Sequence, residues 1–179
     1  MKLLSVACIA ACAIGSPKQP HDITAIDVDH AIQRIKTELL DRFDEERGWE
    51  PEVNHTNWLS KGLGGSTAIA TLALLSANES QHSRILKTAL QHIESVKTPS
   101  TYVCSLKIMI YSKLSPRFDK QLKLNVRRIV ESMNRSGSWG YNSEPPISTE
   151  TASPIIRRFA SVALLEAHRK GIRIPSACF

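Results

Sequence analysis

The chain has 179 residues, 42% hydrophobic and 22% charged, with 8 Gly and 9 Pro. These fractions exclude collagen-like, low-complexity and mainly disordered chains, and they leave enough apolar material for one core without metal or disulfide staples. The net charge of +6 is a weak basic lean, and no basic stripe with interleaved aromatics points to nucleic acid.

Residues 2–15 read KLLSVACIAACAIG. One Lys, an apolar stretch over 3–14 and a small-residue zone predict a secretory signal peptide over 1–15, with Ala13 and Gly15 before the cut. The run is too short to span a bilayer, and no later stretch reaches the ~20 apolar residues that a spanning helix needs. Ile9-Ala10-Ala11-Cys12 also has the form of a bacterial lipobox, which makes Cys12 a lipidation candidate. The expected location is therefore exported, periplasmic or cell-surface, with or without a lipid anchor. Cys8 is lost on either route. Cys104 and Cys178 remain, too few and too far apart for a disulfide framework or a zinc signature.

A polar linker covers 16–24, and one all-α domain is expected over 25–179. The first helix is expected at 27–43, with Asp27 as N-cap and Val28, Ile32, Ile35, Leu39 and Phe43 as its inward stripe. Residues 66–77 hold no charge, and a helix apolar all round is buried all round. The segment 82–96 is amphipathic, with Leu86, Ala89, Leu90 and Ile93 inward. Residues 101–114 are apolar again, interrupted by Lys107 and Lys113. The segment 118–133 carries the stripe Phe118, Leu122, Val126, Ile129 and Met133. The last helix, 155–170, is apolar from Phe159 to Leu165 and stops at Gly171. No alternating β-branched run suggests a strand.

Wet-sided and charge-poor helices therefore alternate as three hairpins, which predicts an outer and an inner layer. A Gly-then-Trp turn recurs where an outer helix hands over to an inner one, at Gly48-Trp49 and at Gly137-Ser138-Trp139. Three hairpins leave the first and last inner helices without a neighbour on one side, so self-association or a partner chain is the expected cover.

Residues 64–75, Thr101-Tyr102, the stretch 137–141 and the tail 159–171 resemble, in order and spacing, the α/α toroid of terpenoid cyclases and protein prenyltransferases. The closer likeness is to prenyltransferase/squalene-oxidase-repeat proteins exported by some bacteria, and it covers most of 25–175. The resemblance implies a partial α/α toroid of about three outer/inner hairpins, half the ring that the family usually closes. The departures are chemical. Met133 stands where the family repeat begins with Gln, and the Asp-x-Asp-Asp acid of class II cyclases is reduced to Asp27-Val28-Asp29-His30. Cys104, Cys178 and the scattered His residues do not assemble the prenyltransferase zinc trio. No catalytic residue, metal site or cofactor is assigned.

Thr67, Tyr102, Trp139 and Tyr141 fall near the starts of inner helices and are the candidate ligand-binding residues, set against simple wedge packing. Arg157 and Arg158 open the last helix, either toward an anionic partner or as surface snorkels. Glu144 and Glu150 form a loop carboxylate pair with nothing to fix their separation. Lys61 to Thr67 lacks the Lys placement of a phosphate loop. The glycosylation patterns at Asn54, Asn78 and Asn134 carry little weight beside a bacterial-type leader. The expected function is a non-catalytic module that binds a protein partner or an apolar small molecule. The competing expectation is an enzyme acting on an isoprenoid-like substrate.

Overall fold

The structure, a computed structural model, describes residues 23–51, 64–143 and 152–178. The leader with Cys12, and Asn54, Lys61, Glu144 and Glu150, lie outside the described residues. Among the described residues six α-helices follow in order: α1 (Ala25–Asp41), α2 (Gly65–Ser76), α3 (Arg84–Ser95), α4 (Thr101–Lys113), α5 (Asp119–Glu131) and α6 (Pro154–Arg169). Short 3-10 turns occupy Pro116–Phe118 and Ser176–Cys178. The described residues contain no strand, only two isolated bridges. The protein is all-α.

The helix starts are set by side chains that take up orphan backbone donors. Ser83, Ser100 and Ser153 accept from Leu86, Val103 and Ile156 N–H. At α1 the cap is Thr24, not Asp27: Thr24 Oγ1 accepts from Asp27 N–H, and the Asp27 carboxylate accepts from Thr24 N–H at 3.0 Å. Asp27 occupies the third helical position of a capping box. That bonding holds its carboxyl below the usual range.

α4 is the centre. Every residue from Val103 to Tyr111 is buried, and α4 packs against α2, α5 and α6. The stripes of α3 (Leu86, Ala89, Leu90, Ile93) and α5 (Leu122, Val126, Ile129) are buried as their spacing requires, but Met133, expected to continue the latter, lies past the helix end and is half-buried. Phe118 lies under them, stacked on Tyr111 with ring centroids 5.7 Å apart.

The terminal helices depart from expectation. α2 is charge-free yet only one-sided: Thr67, Ala68, Thr71 and Leu74 are buried while Ile69 and Ala73 are exposed. α6 buries Ile156, Ala160, Ala163, Leu164 and Ala167 but leaves Ile155 (61%), Val162 (48%) and Leu165 exposed. α1 contains no buried residue, and its expected inward stripe is open to water at Val28 (46%), Ile32 and Ile35 (60%). An apolar pattern states what a face could bury. Whether a neighbour is present to bury it is a separate matter.

The recurring turn is a shared device. Trp49 Nε1 donates to Leu39 O and Trp139 Nε1 to Ile129 O, each at 2.8 Å and each to a carbonyl ten residues upstream. Asp44 and Asn134 sit five residues before their Trp and accept backbone N–H bonds on Oδ1 from the turn. The two turns therefore superpose in register at a separation of ninety residues, which also pairs Val28 with Phe118 and Ile32 with Leu122. Gly48 has a φ of +67° and no room for a side chain, since a Cβ there would sit 2.6 Å from Thr67 Oγ1.

Trp139 is 1% exposed whereas Trp49 is only half-buried. Trp139→Ala is expected to cost about 3–5 kcal/mol in denaturant unfolding. Trp49→Ala is expected to cost less than half as much, and equal losses would contradict this picture of the two turns.

Candidate functional site

The four residues singled out near the helix starts do not form one site. Thr67, on the first turn of α2, is consumed by packing: its Oγ1 accepts from Trp49 N–H at 3.1 Å and its N–H donates to Glu50 Oε1 at 2.8 Å. Trp139 is buried beneath its bond to Ile129. Tyr102 is half-buried, edge-on to Phe159 with centroids 4.7 Å apart, and desolvation raises its hydroxyl pKa. Tyr141 is 61% exposed, and its carbonyl accepts from Thr101 N–H at the start of α4. Tyr102 also lies against Gly65, so the starts of α2, α4 and α6 do meet at one end of the molecule.

The groove at that end is a different one. It has a volume of about 540 Å³, opens to solvent, and is lined by Ser138, Ala152, Pro154, Arg157, Arg158, Ser161 and Val162. None of the four candidates lines it. Two further open grooves run between neighbouring helices. One of about 420 Å³ lies between α1 and α3, beside Leu40, Glu79 and Ile85. One of about 400 Å³ lies between α3 and α5, beside Leu90, Glu94 and Gln121.

The most unusual chemistry lies in the α3–α4–α5 interior. Lys107 is 7% exposed on the central helix, and its Nζ donates to Val96 O at 2.7 Å. That carbonyl ends α3, where the helix dipole and orphan acceptors favour a cation. Burial pulls the Lys107 pKa below its ordinary value of 10.5, opposed by Cys104 and Glu94 and reinforced by Arg128. Arg128 Nη1 donates to Thr98 O at 3.0 Å and approaches Cys104 Sγ at 3.8 Å, and Ser143 Oγ closes on the same sulfur at 3.8 Å. Tyr111 is buried, and its hydroxyl pKa is pushed far up by burial. In the sequence Lys107 stands only as an interruption of an apolar run, and Cys104 only as one of two distant cysteines. One charge inside an apolar run was the available signal, but Arg128 gave none.

Lys107 lines none of these grooves, and its bond locks α3 to α4. The cluster is a structural clamp. Among the described residues no three His, Cys, Asp or Glu come close enough to hold a metal ion, and Cys104 and Cys178 are unpaired and buried. No described helix is long and apolar enough to cross a membrane. Comparison with family models, curated proteins and solved structures gives no match to this chain.

The clamp has a pH signature. The unfolded chain keeps the Lys107 proton up to about pH 10.5, whereas the folded chain releases it sooner, so the residue's contribution to stability rises with pH across that window. Melting curves between neutral pH and pH 10 are expected to show this rise in the native chain and to lose it in Lys107→Met.

Proposed function

We propose that this protein is an exported, non-catalytic, partial α/α-toroid-like module that binds a protein partner through the apolar faces of its terminal helices. The observation that carries the reading is where the large exposed apolar side chains fall. Ile26, Val28, Ile32 and Ile35 on α1, Ile69 on α2, and Ile155, Val162 and Leu165 on α6 are all open, while α3 and α4 expose none and α5 exposes a single one, Leu124. Several exposed apolar side chains in a stripe along one helix mark an interaction surface.

Packing of α4 between α2 and α6, with α3 against α2 and α5 against α4, supports the two-layer, toroid-like reading. The grooves are open rather than enclosed, and no described carboxylate is buried. Protonating an alkene calls for an acid held in a dry, apolar cavity. The lysine-led apolar segment at 1–15 supports export.

Incubation with squalene- or prenyl-type substrates is expected to yield no product. Turnover abolished by a single Asp or Glu substitution would overturn the non-catalytic reading. Intact-mass measurement of the processed chain is expected to start at Ser16, or at an acylated Cys12. A retained Met1 in the secreted fraction overturns the leader assignment.

A further inference from the structure

We infer that the partner is a second copy of this chain, with the outward stripe of α6 seated on the stripe of α1. The inference rests on the docking reading above and gives it an occupant. Three observations converge on it.

The first is that α6 has two apolar faces. Ile156, Ala160, Ala163, Leu164 and Ala167 face inward, and α6 packs on α4. Ile155, Val162 and Leu165 recur at helical spacing on the opposite side, interleaved with Arg158 and Arg169, and stand in water. A helix that only closed off the molecule would need one apolar face.

The second is the ninety-residue register. α1 repeats α5, yet Phe118 and Leu122 at the start of α5 are buried and α4 packs on that helix, while their counterparts Val28 and Ile32 on α1 stand exposed. α6 follows α4 in the same series of helices. A second copy's α6 thus supplies to α1 what α4 supplies to α5 within the chain. Each copy offers one α1 and one α6, so a two-fold pair covers both faces of both copies with two identical contacts.

The third is charge. With the antiparallel sense of a short-turn hairpin, Arg169 reaches the start of α1, which carries Asp27 and Asp29, and Arg158 reaches its end, which carries Glu38 and Asp41. The pairs that Arg169 and Glu38 already make, to Glu166 and Arg42, are exposed and within one helical turn. Such pairs contribute little and exchange readily.

Light scattering of the processed protein at tens of micromolar is expected to give twice the single-chain mass. Ile32→Arg and Val162→Arg are each expected to give the single-chain mass with unchanged circular dichroism, and Ile35→Arg and Leu165→Arg serve as a second pair. Mixing the α1 variant with the α6 variant is expected to restore the doubled mass, because one α1–α6 contact then remains intact. A monomeric native chain overturns the inference while leaving docking of a different protein as the reading of these faces. A dimer indifferent to Val162→Arg, or variants that fail to complement, also overturn it, since neither is compatible with α1 seated on α6. Product formation in the substrate incubation strikes at the non-catalytic reading instead, so the two failures are distinguishable.

Discussion

The structure depends on keeping one helix out of water. From Val103 to Tyr111, α4 shows solvent almost nothing, and a segment of that kind is stable only when apolar surface surrounds it. α2, α5 and α6 provide it. The one charge in that stretch, Lys107, is tolerated because its ammonium meets the carbonyl that ends α3. A burial problem on α4 is thereby turned into a tether for α3, and the neighbouring helices take their places from α4.

Helices one step further out are held differently. α1 is tied by point contacts: Lys36 pairs with Glu79 at 2.8 Å, Trp49 reaches back to Leu39, and His92 lies 2.8 Å from the Glu45 carbonyl. Hydrogen bonding from Lys36 depresses the Glu79 carboxyl below its ordinary value of 4.5, so this tie persists above that pH and weakens in acid. Polar ties fix where α1 sits without covering its apolar stripe. The same Trp turn that seals α5 into a core therefore leaves α1 positioned but uncovered.

Much of this was legible in the sequence, and the limits are physical. Helical spacing located the buried stripe of α3 residue by residue and that of α5 as far as Ile129, and the charge-poor run at 101–114 is a buried helix as expected. The end helices were misjudged because Ile69, Val162 and Ile35 have the composition of buried residues, and only the presence of a neighbour decides their burial. The Thr24 cap was missed for a nearer reason, since Asp27 belongs to the same capping box and has the same preference for a helix start. The recurrence of Gly and Trp was visible, but the bond to the carbonyl ten residues upstream was not. Gly48 and Gly137 fall one position apart in the ninety-residue register, so aligning on glycine hides it. The candidate aromatics fall near helix starts, as the sequence indicates, but do not converge on one site. Their roles there could not be read, because wedge packing and ligand contact use the same residue types.

The two thiols illustrate what depth means in this fold. Cys178 rests on a single 3-10 turn near the chain end, whereas Cys104 lies beneath Arg128 and Ser143 on the central helix. Fraying of the terminal turn uncovers the first, while the second is uncovered only when the packing around α4 comes apart. Shielding therefore guards the Cys104 sulfur against oxidation as long as the fold persists, and the Cys178 sulfur only while its turn stays closed. Alkylation at the outer one would proceed on the clock of local breathing, and at the inner one on the clock of global unfolding.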